Sequence, residues 1–190
     1  MASAETHTFR LRMATRRIKA GGVVAYPTEA VFGLGADPDN PAAVQRILDL
    51  KRRPNDKGLI LIAATPQALE PYMASLDASQ WSRMTTTWPG AVTWLVPAAN
   101  HAPPLVTGGT TRIAVRIPDH SLARQLCAAW GGALVSTSAN RAGRAAMRTA
   151  TAVRRRFGTE LAMTVSGAVG GRQRPTAIYC LTSGEAVRPG

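Results

Sequence analysis

Short apolar runs alternate along this chain with stretches whose apolar residues recur at helical spacing, and that alternation sets the expectation for the fold. Residues 8–20 read as an amphipathic helix, with Phe9, Met13 and Ile18 on one side, arginines elsewhere, and Gly21-Gly22 to stop it. Residues 23–26 form a short apolar run, long enough for a buried strand, that Pro27 ends because proline donates no backbone hydrogen bond. Thr28 and Glu29 then stand at the strand's carboxyl end, the edge where open α/β sheets bind ligands. Gly33 and Gly35 read as a turn, or as a place where the backbone comes close to something bound. Asn40-Pro41 gives a helix start; Val44, Ile47, Leu48 and Leu50 supply its buried stripe, and Lys51-Arg52-Arg53 close it before Pro54.

The second half repeats the theme. A strand is expected over 59–63, a helix from Thr65-Pro66 to about residue 72, and another from Asp77 that carries Trp81 and Met84. Trp88-Pro89-Gly90 is a turn, 92–96 a strand, and 97–111 a proline-, glycine- and threonine-rich stretch that reads as a mobile loop. Trp88 and Trp94 adjoin apolar segments and are expected in the core. Residues 112–117 form a strand with Arg116 near its carboxyl end, 121–130 a helix, and 133–135 a strand that runs into Ser136-Thr137-Ser138-Ala139-Asn140. A basic loop over 141–148, a helix over 151–157, strands over 162–165 and 178–181, and a polar tail complete the pattern. The expected class is α/β: one domain over 1–190, a twisted mixed sheet flanked by helices.

Composition narrows the function. A chain of 190 residues with 45% apolar content can bury a real core. No run reaches the roughly 18 apolar residues of a membrane span, and the N-terminus lacks a signal-peptide core, so a soluble cytoplasmic protein is expected. Cys127 and Cys180 are too few for a disulfide framework. The formal net charge of +12 implies an anionic partner (nucleic acid, nucleotide or phosphorylated substrate) without choosing between them, and an arginine-rich composition also follows from a GC-rich genome.

The candidate chemistry lies in four places. Lys51, Arg53 and Lys57 either complement a helix C-terminus or form a basic loop able to hold a polyphosphate; residue type leaves both open. Arg116 can clamp a carboxylate bidentately or face solvent from its strand. Hydroxyls at 136, 137 and 138 exceed what a helix cap needs. Thr28 and Glu29 lie at a strand end. No phosphate-binding glycine loop, dinucleotide fingerprint or nucleophile elbow is present, and His7, His101 and His120 have no metal-ligand spacing.

Taken in order, Tyr-Pro-Thr-Glu-Ala-Val-Phe-Gly-Leu-Gly at 26–35, Lys-Arg-Arg-Pro at 51–54, Ser-Thr-Ser-Ala-Asn at 136–140 and Arg-Pro-Thr-Ala-Ile at 174–178 resemble the YrdC/TsaC family. Trp-Pro-Gly-Ala-Val-Thr at 88–93 extends the likeness over nearly the whole chain, in its short stand-alone form. The resemblance implies a YrdC-like fold with an open basic cleft, and a threonylcarbamoyl-AMP synthase that joins L-threonine, bicarbonate or CO2, and ATP with release of pyrophosphate. A downstream enzyme would then modify tRNA position 37. It also implies the site. Thr28, Arg116, Ser136 and Thr176 would hold L-threonine; Lys51, Arg53, Lys57, Arg112, Ser138 and Asn140 would meet the nucleotide, with Lys51 and Arg53 acting on the reacting phosphates. Mg2+ would arrive with ATP, no protein metal site being expected, and the loop over 97–111 would serve as lid. Ala142 stands where many relatives carry serine, and Thr176 replaces a serine while keeping the hydroxyl.

A competing reading is a non-catalytic RNA-binding module for tRNA or double-stranded RNA, favoured by the charge and by Arg141, Arg144, Arg148 and Arg154 to Arg156. The chain shows no RNA-recognition motif and no aromatic stacking series. Direct tRNA binding is compatible with both readings.

Overall fold

The computed structural model describes residues 2–174 and 176–189, with side chains from residue 8 onward. His7 and Pro175, which figure in the sequence argument, lie outside the described side chains. The strands are β1 (Val24–Pro27), β2 (Phe32–Ala36), β3 (Ile60–Ile62), β4 (Val92–Pro97), β5 (Arg112–Arg116), β6 (Leu134–Ser138), β7 (Met163–Thr164), β8 (Ala177–Cys180) and β9 (Ala186–Arg188). They form one nine-stranded mixed sheet in the order β7-β1-β2-β6-β3-β5-β4-β8-β9. The helices are α1 (Ala2–Lys19), α2 (Pro41–Lys51), α3 (Ala78–Thr85), α4 (Pro104–Thr107), α5 (Ser121–Trp130) and α6 (Ala150–Phe157).

Two apolar layers cover the sheet. Ala25, Phe32 and Leu34 pack with Val44, Ile47 and Leu48 of α2, Met84 of α3 and Val153 and Phe157 of α6. On the other face Val24 and Tyr26 pack with Leu11, Ala14 and Ile18 of α1 and Leu122 and Leu126 of α5. Because β1 is covered on both faces, its sequence is apolar throughout rather than alternating. Among the described residues no helix is long and apolar enough to cross a membrane.

Local chemistry explains the helix ends. The Asn40 side chain accepts the Ala43 N–H, and Pro41 occupies the first turn, as the sequence predicts. Arg52 ends α2 in the left-handed conformation at φ 51°, a strain of roughly 1–2 kcal/mol for a residue with a side chain. That turn leaves Lys51 buried and sends Arg53 along a different course. In α3, Asp77 and Gln80 form a reciprocal capping box.

Several elements differ from the sequence expectation, each for a visible reason. The Gly33–Gly35 stretch is the buried strand β2, not a turn; the turn is 28–31, closed by the Thr28 N–H on the Val31 carbonyl at 3.0 Å. Gly33 and Gly35 face the side of the sheet where the Tyr26 ring lies. A Cβ on Gly35 would stand 2.8 Å from Tyr26 Cε1 and 3.1 Å from the Val135 carbonyl oxygen. Residues 136–138 do not leave the sheet: they complete β6, paired with β2 on one side while Ser136 also pairs with Ile60 of β3. Residues 66–72 are a 3-10 helix, with Pro71 inside it. The stretch 97–111 is pinned in place, with α4 at its centre, Val106 and Thr107 buried, and the Val106 carbonyl accepting the Leu59 N–H at 2.8 Å. It forms a wall, which removes the ground for reading it as a lid. The tail adds β9, antiparallel to β8.

Candidate active site

A cavity of about 630 Å³ lies over the sheet. It is bounded by the 28–31 turn and the start of β2, the segment that follows α2, the wall at 106–112 and the basic segment that leads into β8 and β9. Its lining takes Ser136 and Ser138 from β6, Ile60 from β3 and Ala114 and Arg116 from β5, so the site uses the middle of the sheet as well as strand ends. Six arginines reach it, Arg53, Arg112, Arg116, Arg172, Arg174 and Arg188, against two carboxylates, Glu29 and Asp56. Such an excess suits a polyanionic ligand.

Thr28 and Ser136 flank Gly33: a Cβ there would lie 3.4 Å from Thr28 Cγ2 and 3.5 Å from Ser136 Oγ. The Thr28 hydroxyl donates to the Val31 carbonyl at 2.7 Å, and Ser136 Oγ accepts from the Tyr26 hydroxyl at 2.8 Å. Burial pushes the Tyr26 phenol above its ordinary pKa, so it remains a donor. Thr176 is buried and its hydroxyl meets that of Thr93 at 3.2 Å. Arg116 is buried and ion-paired with Glu29, whose other oxygen accepts the Asp119 N–H at 2.6 Å; Arg116 Nε is buried without a partner.

A second group surrounds the end of α2. Arg53 lines the cavity, fixed by hydrogen bonds from Nε to the Lys57 carbonyl (3.0 Å) and from Nη2 to the Gly58 carbonyl (2.8 Å). Ser138 and Asn140 line it too, with the Ser138 hydroxyl donating to Asn140 Oδ1 at 2.6 Å. Lys51 lies behind them. Its ammonium donates to the Ser138 carbonyl, and to the Asn140 carbonyl (3.0 Å) and Oδ1 (3.1 Å). Burial, with the Arg53 charge adding, lowers Lys51 to about 8, against oxygen acceptors that favour the charged form.

Eight of the ten residues that the resemblance assigns to the site thus reach one cavity: Thr28, Arg53, Arg112, Arg116, Ser136, Ser138, Asn140 and Thr176; Glu29 and Thr137 line it as well. Two do not line it. Lys51 is buried beneath the Ser138–Asn140 segment, and Lys57 is exposed to solvent, offering Arg53 its carbonyl instead of presenting its ammonium to the cavity. Arg188 was not singled out. It reaches the cavity from β9 and donates from Nη2 to the Thr176 carbonyl at 2.8 Å, while burial and then Arg53 and Arg116 lower its pKa. The signal for it was Ser183-Gly184, a turn dipeptide with Gly184 at φ +77°, which folds the tail back as a hairpin.

An α/β sheet that carries an arginine-rich cavity floored by hydroxyls has the lining that a small anionic ligand needs. The family model Sua5_yciO_yrdC, described as telomere recombination, matches residues 16–190, and the chain belongs to this Sua5/YciO/YrdC family. It is 50% identical over 191 residues to a protein of Alkalilimnicola ehrlichii named threonylcarbamoyl-AMP synthase, covering 99% of this chain and 100% of that one. A protein of the same name from Chromohalobacter salexigens is 51% identical over 179 residues, covering 94% and 96%. Among solved structures, P. abyssi Sua5 complexed with L-threonine superposes with a TM-score of 0.89 at 31% identity; the match covers 95% of this chain and 54% of that longer one. E. coli YciO shares the fold, with a TM-score of 0.80 at 23% identity over 94% and 90% of the two chains.

Proposed function

We propose that this chain is a threonylcarbamoyl-AMP synthase, taking L-threonine, bicarbonate or CO2, and ATP to threonylcarbamoyl-AMP and pyrophosphate. The observation that carries this reading is the convergence of Arg116, Thr28, Ser136 and Thr176 with Arg53, Ser138 and Asn140 on one arginine-rich cavity. The first four suit an amino acid bearing a hydroxyl. Arg116 would take its carboxylate, because its Nε still lacks an acceptor. Arg53 and Arg112, with Ser138 and Asn140 beside them, suit a nucleotide. Lys51 serves this subsite from behind, holding the Ser138–Asn140 segment in place. Lys57 contributes by fixing Arg53.

Threonine's ammonium gives its proton to solvent, the neutral amine adds to CO2, and the adduct's nitrogen releases one further proton to solvent to leave a carbamate; the surrounding arginines favour the neutral amine. A carbamate oxygen then bonds to the α-phosphorus while the bond to the β-phosphate bridging oxygen breaks, and pyrophosphate leaves with that electron pair. Fixed guanidinium groups stabilise the charge that develops on the phosphates, and holding three substrates in one cavity removes much of the entropic barrier. Among the described residues no group of three or more His, Cys, Asp or Glu could hold a metal ion. Mg2+ would arrive with the ATP substrate, with most of its ligands from phosphate and water. The product would pass to a second enzyme that modifies tRNA, a transfer that a cytoplasmic location would suit.

The reading is tested by pyrophosphate release from MgATP with threonine and bicarbonate omitted in turn. Release that needs both, and prefers threonine to serine, supports it. Background release together with tight, salt-sensitive tRNA binding would favour the RNA-binding module instead.

A further inference from the structure

An amino acid arrives as a zwitterion, and a cavity built from arginines serves only half of it. Its two carboxylates differ in setting. Asp56 is exposed and acts electrostatically on Arg53, in the nucleotide group. Glu29 is 6% exposed, lines the cavity and adjoins Arg116. A carboxylate offers about four lone-pair directions. The two partners of Glu29, Arg116 Nη2 and the Asp119 N–H, take one direction on each oxygen and leave the others unused. The backbone around it is fixed as well: the Glu29 carbonyl accepts the Arg172 N–H at 3.2 Å, and the 170 segment passes so close that a Cβ on Gly170 would lie 2.7 Å from that oxygen.

Resting on the synthase reading above, we propose that Glu29 receives the α-ammonium of the incoming amino acid while Arg116 takes its carboxylate. In an α-amino acid the two charged groups are separated by one carbon, so their partners must also be neighbours, as Glu29 and Arg116 are. Receipt of the ammonium and loss of its proton before carboxylation are separate steps, and Glu29 belongs to the first. The pair thereby selects amino acids over plain hydroxy acids.

The test compares L-threonine with β-hydroxybutyrate, which keeps the carboxylate, hydroxyl and methyl group and lacks the amine, by calorimetric titration of the wild-type chain and Glu29→Gln. The wild type is expected to prefer threonine by about tenfold or more, as loss of one charge-assisted contact implies. In Glu29→Gln threonine affinity should fall by a similar factor while β-hydroxybutyrate changes little, so the preference collapses. Parallel loss for both ligands would mean that Glu29 acts only through Arg116 and would overturn the proposal alone. If Glu29→Gln does not fold, the wild type decides: β-hydroxybutyrate binding as tightly as threonine overturns it. A wild type that binds no threonine overturns the synthase reading and this inference with it.

Discussion

Substituting Gly35 by alanine tests how the β1–β2 hairpin builds the site. The new methyl would stand 2.8 Å from Tyr26 Cε1 and 3.1 Å from the Val135 carbonyl oxygen, both in the packed interior. Restoring ordinary contact requires the ring to shift by about 0.6 Å, yet Tyr26 has no exposed surface and its hydroxyl is tied to Ser136 at 2.8 Å. Overpacking of this kind costs about 1–3 kcal/mol. The lower chain entropy of alanine in the unfolded state returns roughly 0.4–1 kcal/mol. A net loss of about 1–2 kcal/mol should lower Tm by roughly 2–8 °C in a chain of this size, with an unchanged urea m-value. The cycle with Tyr26→Leu isolates the cause. Without the ring, Gly35→Ala should cost at least about 1 kcal/mol less than it does in the wild type. Equal cost in both backgrounds would refute the ring as the obstacle. Displacement of Ser136 should also raise the threonine KM of Gly35→Ala more than its ATP KM.

Three further outcomes follow from the same geometry. Arg116→Ala should raise the KM for threonine with little change for ATP, and Lys51→Ala with Arg53→Ala the reverse; equal loss of both ligands in both variants would contradict two subsites. Lys51, lowered to about 8 when folded, loses its charge as pH rises through that value, so the KM for ATP should climb above pH 8 and Lys51→Met should flatten the climb. Its depressed pKa also means that the unfolded chain binds more protons between about 8 and the ordinary lysine value of 10.5. Wild-type stability relative to Lys51→Met should therefore rise with pH across that window, as equilibrium melts can check. Asp77→Ala removes the capping box of α3, which is not part of the cavity lining, and should cost about 1 kcal/mol in urea unfolding while leaving kinetic constants unchanged.

What was legible in the sequence follows physical lines. The ends of α2 were readable because Asn40, Pro41 and the closing cations act locally. The glycines of β2 misled because glycine signals both turns and close approach, and the deciding neighbours, Tyr26 and Val135, become relevant only through strand pairing. The hydroxyl run at 136–138 was polar enough to suggest a loop, yet it lies in a strand whose polar side chains floor the cavity. Lys51 and Lys57 were alike as residue types; the left-handed Arg52 between them helps bury one and leave the other in solvent. Arg188 escaped because its role depends on the tail folding back beside β8. Glu29 was seen as a strand-end residue, and its pairing with Arg116, 87 positions away, is a tertiary fact.

The most direct measurement follows labelled bicarbonate through the reaction with ATP and threonine, separating nucleotide products by chromatography and weighing them by mass spectrometry. The account predicts a labelled adduct of threonine, one bicarbonate carbon and adenylate, formed with stoichiometric pyrophosphate and lost on Arg116→Ala at limiting threonine. Pyrophosphate released with AMP alone, or an adenylate of threonine that carries no label, would contradict it.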